Sequence, residues 1–495
     1  MSTFNSINKT YAGKMSLNKK DKELHLAMLP FFAFGHISPF VQLSNKLSSY
    51  PGIKISFLAA SASVSRIQTM LNPTTTTKVI PLTLPHVDGL PEGVENTSDT
   101  SPATVELLKV ALDFMRPQIK TLLANLKPNF VFFDFAQWWL PEMVSELGIK
   151  TIFFSVFMAN SSSFVTSWFT RDTPPTIEEM KKPPPGLPGS ESKSLQPLGT
   201  ITLKTFESQD FMYIFKSFHG TLSVFDRLMK CFKGCNAILI KSCREMEGPY
   251  IDYVSKQVKK PVLLIGPVVP DPNSGELDET WANWLSQFPA KSVIYCSFGS
   301  ETFLSDDEIR ELALGLELTG LPFFLVLNFP ADLDSSSELK RTLPHGFLER
   351  VKDKGIVHSG WVQQRHILAH ESVGCYVCHA GFSSVIEGLV NDCQLVMLPL
   401  KGDQLMNCKV IASEWKAGVE VNRRDEDGYF GKDDVFEAVK SVMMETEKEP
   451  AKSIRENQKK WKEFLQNDEI HNKYIADFLE NLKAIDVNPD LMKRS

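Results

Sequence analysis

The stretch from residue 361 to residue 404 constrains the fold of this chain more than any other, because short apolar runs alternate with polar turns along it. Residues 374–378 and 394–400 are apolar runs of strand length, and residues 385–390 between them continue as a helix. The turn at residues 379–384 therefore joins a strand to a helix at the carboxyl edge of a parallel sheet. Free backbone N–H groups and the helix dipole attract anions there. The stretch predicts a site for a nucleoside diphosphate.

The same alternation of strands and helices occurs on both sides of a segment rich in Pro and Gly. Residues 24–265 and 281–450 each carry it, and residues 266–280 have the composition of a linker. A chain of 495 residues is also too long for one core. We predict an α/β fold of two Rossmann-like, doubly wound domains that face a cleft. Residues 1–23 are expected to be a disordered tail, and residues 451–495 helices that pack back across the domain junction.

Composition excludes several classes of function. A net charge of −6 gives no support for a nucleic-acid partner, and no apolar run is long enough to span a membrane. The eight cysteines are scattered and lie mostly inside apolar runs, which indicates reduced packing residues. We expect a cytoplasmic monomer whose partners are small molecules.

Motifs for other cofactors are absent or isolated. The chain has neither a Gly-x-Gly-x-x-Gly fingerprint nor a Gly-Lys-Ser/Thr phosphate loop. Cys375, Cys378 and His379 match the spacing of a haem attachment site, but they fall within a predicted buried strand. His366 and His370 share a helix face without a third ligand nearby. We predict neither haem nor a metal site.

Two polar residues follow apolar runs of the first half. His36 lies in the turn after the strand predicted at residues 24–34, with Ser38 as the N-cap and Pro39 as the first residue of the next helix. Asp134 ends a buried strand at residues 129–135, where a carboxylate needs a partner. A histidine at a neighbouring strand end would serve. The alternative is that His36 is a loop histidine without a role.

The stretch from Trp361 to Gln404 resembles the signature box of the plant UDP-dependent glycosyltransferases of family one. The segments FFAFGHISPF, SVIYCSFGS, GLELTGLPFF and DEDGYFGKDDV resemble the branch that adds a sugar to flavonoid or anthocyanin glycosides. The resemblance implies the GT-B fold, with the acceptor bound mainly by the first domain and the donor by the second.

The resemblance also implies a donor site made of residues of the second domain. The residues that would bind the nucleoside are Trp361, Val362, Gln364 and Glu387. The residues that would hold the diphosphate are Ser300, His379, Gly381, Phe382, Ser383 and Ser384. The residues that would bind hydroxyls of the transferred sugar are Asp403 and Gln404.

Some of these residues have a purely structural alternative. Trp361 would stack on uracil, but a tryptophan at a strand end also suits a core. Ser384 and Glu387 have the spacing of a capping box, in which the glutamate only caps the helix, and spacing alone favours that interpretation. Six large apolar residues could either line a flat acceptor pocket or pack in the core. They are Phe34, Trp138, Trp139, Phe154, Phe157 and Met158.

The resemblance implies an inverting, metal-independent reaction with a UDP-sugar as co-substrate and no other cofactor. His36 would be the base that accepts the proton of the attacking hydroxyl, and Asp134 its partner. Residues 380–384 read Ala-Gly-Phe-Ser-Ser where many family members have Cys-Gly-Trp-Asn-Ser, which leaves UDP-glucose, UDP-xylose and UDP-rhamnose open as donors.

The expected acceptor is a flavonoid or anthocyanin 3-O-glycoside, and the expected product a (1→2)-linked disaccharide. An aglycone or a terpenoid glycoside is the alternative within the same reaction. A sugar phosphorylase, a UDP-sugar epimerase and a non-catalytic UDP-sugar binder are the alternatives of other classes.

Overall fold

The computed structural model describes residues 23–73, 77–100, 104–184, 186–187, 201–270, 275–330 and 333–487. The tail predicted at residues 1–23 therefore lies outside the described residues except for Glu23. Part of the predicted linker (271–274) and the end of the chain (488–495) lie outside them too.

Two parallel sheets organise the described residues. The first has the strand order β3-β2-β1-β4-β5-β6-β7, and the second has the order β10-β9-β8-β11-β12-β13. The first sheet contains β1 (Leu24–Leu29), β2 (Ile53–Ala60), β3 (Thr77–Leu82), β4 (Phe130–Phe133), β5 (Lys150–Ser155), β6 (Ala237–Ile240) and β7 (Val262–Leu264). The second contains β8 (Val293–Ser297), β9 (Phe323–Leu327), β10 (Gly355–Ser359), β11 (Val373–Cys378), β12 (Gln394–Met397) and β13 (Gly418–Glu420). These orders confirm two doubly wound α/β domains.

Helices cover both sheets. Those of the first half are α1 (Phe34–Ser48), α2 (Val64–Met70), α3 (Val105–Phe114), α4 (Arg116–Leu126), α5 (Leu140–Ser145), α6 (Ala159–Thr166), α7 (Ile177–Met180), α8 (Thr205–Phe211), α9 (Val224–Gly234) and α10 (Arg244–Val258). Those of the second half are α11 (Glu279–Leu285), α12 (Asp306–Leu318), α13 (Ser335–Thr342), α14 (Phe347–Val351), α15 (Gln364–Ala369), α16 (Phe382–Val390), α17 (Asp403–Ser413), α18 (Lys432–Met443), α19 (Ala451–Leu465) and α20 (Asp468–Val487).

The apolar runs become central strands because helices bury both of their faces. Every residue of β1, β4, β8 and β11 is buried. One continuous cluster of buried apolar side chains includes Phe133 of the first sheet and Tyr376 of the second. The cleft between the sheets is therefore closed at its base by a shared apolar core.

The last two helices connect the second sheet to the first. Gln458 of α19 donates hydrogen bonds to the carbonyls of Cys393 and Ala417 beside the second sheet. Phe478 of α20 packs edge-on against Phe132 of β4, with 6.2 Å between the ring centroids. The chain thus returns from the second domain to the back of the first.

The helix that carries His36 begins earlier than the sequence predicts. Its first residue is Phe34 and its N-cap is Ala33, so Ser38 and Pro39 lie inside the helix and the predicted cap at Ser38 is wrong. The backbone N–H of Phe34 donates to a carboxylate oxygen of Glu301 in the second domain at 3.1 Å. This distant acceptor satisfies an N–H that no neighbouring side chain caps, which explains why the local pattern misplaces the start.

Two general features complete the fold. All eight cysteines are buried, free thiols. No helix within the described ranges is long and apolar enough to cross a membrane.

Candidate active site

The parallel pairing of β1 with β4 brings His36 and Asp134 together at the carboxyl edge of the first sheet. Nδ1 of His36 lies 2.7 Å from Oδ2 of Asp134. Because an ionised carboxylate only accepts, Nδ1 carries the proton and the lone pair of the imidazole is on Nε2. The pair therefore has the tautomer that a general base needs.

Asp134 is fixed by its own backbone contacts. It is 1% exposed and accepts hydrogen bonds from the backbone N–H groups of Phe135 at 2.7 Å and Phe31 at 3.3 Å. The amide oxygen of Gln137 accepts from the N–H of Asp134 at 3.2 Å, which closes a capping box. These contacts hold the carboxylate in one orientation toward His36.

The surroundings of His36 make it a stronger base than an exposed histidine. Aromatic rings of Phe31, Phe135 and Phe157 lie 5.4–5.6 Å from the imidazole centroid. Burial alone would lower the pKa of His36, but the Asp134 carboxylate raises it and so do the more distant acids of the second domain. The net effect is a pKa above the ordinary 6.5.

A carboxylate of the second domain contacts the start of the helix that bears His36. Oε1 of Glu301 accepts from the N–H of Phe34 at 3.1 Å and from the hydroxyl of Thr97 at 2.7 Å. Lys401 donates to the carbonyl of Glu301 at 2.8 Å. The position of the proposed base is thus linked directly to the turn that follows β8.

Small residues surround the ring of His379 in the predicted diphosphate turn. A Cβ atom on Gly381 would lie 2.5 Å from Nε2 of His379, and one on Gly299 would lie 3.1 Å from Cε1. Ala380 has a left-handed backbone with φ of 60°, and its carbonyl accepts from Nδ2 of Asn407 at 3.2 Å. Glycine at positions 299 and 381 therefore leaves the space that the His379 ring occupies.

His379 is held in the neutral form. Burial, and then the charge of Lys401, lower the pKa of His379 to about 4. Its Nδ1 atom is buried and has no hydrogen-bond partner among the described residues. A neutral imidazole can donate one N–H to a phosphate oxygen without requiring a counter-ion.

The helix that follows this turn starts at Phe382, so Phe382, Ser383 and Ser384 form its first turn. Its N-cap is Gly381, and no side chain caps it. The capping-box interpretation of Ser384 and Glu387 is therefore wrong. Ser300 is exposed in the turn after β8, on the neighbouring strand of the sheet.

Residues predicted to bind the nucleoside lie together at one end of the site. Trp361 is 75% exposed, so it is no core residue and offers a free aromatic face. Gln364 donates from Nε2 to Glu387 at 2.8 Å, which places the two side chains side by side. Burial raises the pKa of Glu387, against the effect of this hydrogen bond. Val362 is buried in the same segment.

Residues predicted to bind the sugar lie at the start of α17. Asp403 begins α17 and accepts from Asn407 at 2.9 Å. Burial raises the pKa of Asp403, while the hydrogen bond from Asn407 and the charges of His36 and Lys241 act in the opposite direction. The amide oxygen of Gln404 accepts from the N–H groups of Leu400 and Lys401, which leaves its NH₂ group for a ligand.

Half of the six proposed acceptor-pocket residues belong to the core. Trp139, Phe154 and Met158 are at most 3% exposed. Phe157 is partly exposed and contacts His36 edge-on, which makes it a wall of the site.

Comparison with known proteins identifies the family. The family described as UDP-glucoronosyl and UDP-glucosyl transferase matches residues 265–456. UDP-glycosyltransferase 79A2 of Stevia rebaudiana is 74% identical over 95% of this chain and 100% of its own length. The chain belongs to the plant family-one UDP-glycosyltransferases. Membership favours a transferase over the phosphorylase, the epimerase and the non-catalytic binder.

Further relatives of this UDP-glycosyltransferase agree with the fold and the branch. The anthocyanidin-3-O-glucoside rhamnosyltransferase of Petunia hybrida is 63% identical over 93% of this chain and 96% of its own length. The UDP-glucose complex of Medicago truncatula UGT71G1 superposes with a TM-score of 0.73 at 20% identity, covering 94% of this chain and 98% of that one. The likeness in three dimensions confirms the GT-B fold.

One residue of the UDP-glycosyltransferase site was missed by the sequence interpretation. Lys241 directly follows β6 in the first domain, yet its Nζ donates to Oγ of Ser383 at 2.8 Å. A lysine at the end of the apolar run Ala237–Ile240 was the available signal. The resemblance assigns the donor site to the second domain, so it does not point to a lysine of the first.

Replacing Glu387 with alanine is expected to raise the KM for the UDP-sugar by about 10- to 100-fold, because a carboxylate that binds two ribose hydroxyls is lost. The melting temperature should stay close to that of wild type, since the helix begins at Phe382 and Glu387 does not cap it. Initial rates over a range of donor concentrations, with thermal melts, provide the measurement. Glu456→Ala on exposed α19 is the matched control. A fall in melting temperature with an unchanged KM contradicts the assignment.

Proposed function

We propose that this enzyme transfers a sugar from a UDP-sugar to a sugar hydroxyl of a flavonoid or anthocyanidin 3-O-glycoside. The reaction inverts the anomeric centre and uses no metal ion. The single observation that carries the mechanism is the His36–Asp134 pair, whose Nδ1 and Oδ2 atoms lie 2.7 Å apart at the sugar end of the donor site. The hydrogen bond from the N–H of Phe34 to Glu301 of the second domain supports a position of the pair beside the donor domain.

The reaction requires one proton transfer and one displacement. The acceptor hydroxyl attacks the anomeric carbon while Nε2 of His36 accepts its proton. The bond between that carbon and the β-phosphate oxygen breaks, and the electron pair leaves with UDP. Asp134 stabilises the imidazolium that forms, as the carboxylate does in a catalytic triad. The strongly buried carboxylate is suited to this task because it is already oriented by the Phe31 and Phe135 N–H groups.

The relatives support a glycoside as acceptor. The 63% identical petunia protein is named for anthocyanidin 3-O-glucoside, and a 41% identical protein of Actinidia chinensis is named cyanidin 3-O-galactoside 2''-O-xylosyltransferase. A sugar hydroxyl is far less acidic than a phenol, so its attack depends strongly on a base such as His36. UDP-rhamnose ranks first among the three candidate donors, because the more similar of these two relatives is a rhamnosyltransferase.

The proposal also specifies which hydroxyl of the acceptor sugar receives the new sugar. The resemblance favours the 2''-hydroxyl and hence a (1→2)-linked disaccharide, and the 41% identical relative carries that position in its name. The enzyme is further proposed to act as a cytoplasmic monomer.

The test is a matched pair of acceptors, quercetin and quercetin 3-O-glucoside, each with UDP-rhamnose, UDP-glucose and UDP-xylose. We expect at least one donor for which kcat/KM with the glucoside exceeds that with the aglycone by about tenfold or more. EDTA should leave the rate unchanged. Preference for the aglycone with every donor would contradict the acceptor class. NMR of the product decides the linkage, and a bond to the 6''-oxygen would disprove only the (1→2) assignment.

A further inference from the structure

A buried cation reaches the donor site from the opposite domain. Lys241 is 1% exposed, and its Nζ donates to Oγ of Ser383 in the first turn of α16. Within the described residues this hydroxyl is its one hydrogen-bond acceptor, although an ammonium has three N–H donors. The ring of Phe382 lies 5.2 Å from Nζ. Two N–H groups of a buried cation are therefore left for a ligand.

Two carboxylates mark the position of Lys241 along a bound UDP-sugar. Glu387 is assigned to the ribose and Asp403 to the transferred sugar, and both raise the pKa of Lys241 through their charge. Neither forms an ion pair with it within 4.0 Å among the described residues, and the hydrogen bond of Nζ goes to Ser383 instead. In a UDP-sugar the group between the ribose and the sugar is the diphosphate. The bond from Nζ of Lys241 to Ser383, in the turn assigned to the diphosphate, is consistent with that position.

Burial destabilises the charge of Lys241. Burial lowers the pKa of Lys241 to about 8, despite the attraction of Glu387 and Asp403. A buried ammonium is stable only when it is paired and hydrogen-bonded. The unpartnered, buried Nδ1 of His379 in the same turn is a second polar atom that lacks a partner. Both groups would be satisfied by the oxygens of one diphosphate.

We propose that Lys241 binds the β-phosphate of the UDP-sugar and balances the charge of the departing UDP. This inference rests on the donor-site roles in the proposed function but not on the acceptor. When the bond between the anomeric carbon and the β-phosphate oxygen breaks, the electron pair stays on that oxygen and the ammonium stabilises it. No proton has to move from Lys241. The first domain thereby supplies a cation at the leaving diphosphate, where many phosphoryl-transfer enzymes use a metal ion.

The test compares the binding of UDP and uridine by calorimetry, without an acceptor. In Lys241→Met, the Kd of UDP is expected to rise by about 10- to 100-fold while that of uridine stays within about twofold, because only UDP carries the diphosphate. Lys241→Arg keeps the charge and should bind UDP more tightly than Lys241→Met. Equal losses for UDP and uridine, or an unchanged Kd of UDP, would overturn the proposal.

A matched control distinguishes phosphate binding by Lys241 from a general effect of lysines that connect the two domains. Lys204 also crosses between the domains, where its Nζ donates to the carbonyl of Arg423 at 2.9 Å, but it is no part of the donor site. Lys204→Met is expected to bind UDP like wild type. A loss as large as that of Lys241→Met would assign the effect to domain contact and overturn the proposal.

Proton uptake provides a test on the wild-type protein, independent of whether a variant folds. Because the diphosphate favours the charged lysine, UDP binding at about pH 8.5, above the pKa of about 8, should take up protons. Calorimetry in two buffers of different ionisation enthalpy measures the number of protons taken up per UDP bound. Uridine binding should take up no protons. Absence of uptake with UDP, or uptake that persists in Lys241→Met, would overturn the proposal. If UDP binding takes up protons through Lys241 but the enzyme prefers quercetin to its glucoside, only the proposed acceptor class is rejected.

Discussion

Replacing His36 with alanine is expected to lower kcat by about 10³-fold or more, because general-base catalysis of a weakly acidic sugar hydroxyl is lost. The Kd of UDP should remain within about twofold of wild type, because His36 lies on the acceptor side of the site. UDP release with quercetin 3-O-glucoside measures the first quantity and calorimetry measures the second. Unchanged turnover would remove His36 from the mechanism.

The chain contains a matched control for this variant. His86 and Asp88 form a second histidine–carboxylate pair, with 3.2 Å between Nε2 and Oδ1, but both side chains are almost fully exposed. His86→Ala should therefore leave kcat unchanged. An acidic phenol such as 4-nitrophenol gives an additional check, because it is already ionised near neutral pH. For such an acceptor His36→Ala should lose much less activity than for the glucoside.

Replacing Asp134 with asparagine is expected to lower kcat by about 10²- to 10³-fold, because it changes which ring nitrogen of His36 carries the proton. The asparagine NH₂ group would face Nδ1 of His36, which favours the imidazole with its proton on Nε2 and removes the lone pair needed by the base. The backbone N–H of Phe135 can still donate a hydrogen bond to the asparagine oxygen, so the fold should be retained. Steady-state kinetics and thermal melts distinguish the two effects.

The pH dependence of Asp134→Asn follows from the charge that is lost. Asp134 raises the pKa of His36, so removing its charge lowers that pKa. A base is active only when unprotonated, and activity falls as the pH drops through its pKa. The acid limb of the kcat/KM profile should therefore move to lower pH in the variant. Asp88→Asn is the control, and a limb that stays in place or moves upward would contradict the pairing.

The sequence by itself determined the architecture and the family of this enzyme. Strands buried on both faces require continuous apolar runs, and these runs were visible along the whole chain. Polar residues directly after such runs lie at the carboxyl edge of a parallel sheet, which located His36, Asp134 and the diphosphate turn. The resemblance of the Trp361–Gln404 box then indicated the family, which the relatives confirm. The roles of the individual site residues stay predictions.

Only the tertiary structure decided which distant groups meet at the site. His36 and Asp134 are 98 residues apart, and they meet because the chain places β4 beside β1. Glu301 bonds to Phe34 across 267 residues and thereby moves the start of α1. Helix propensity and capping patterns extend over only a few residues, so they could not show a cap supplied by another domain.

The same limit explains the remaining differences. The capping box at Glu387 was a correct local pattern, but the helix had already started at Phe382 after the tight turn around His379. Lys241 and Ser383 are 142 residues apart and belong to different domains. A lone lysine after an apolar strand has no local partner that reveals its use. Its contact depends on how two separately folded sheets pack against each other, which no period or spacing in the chain encodes.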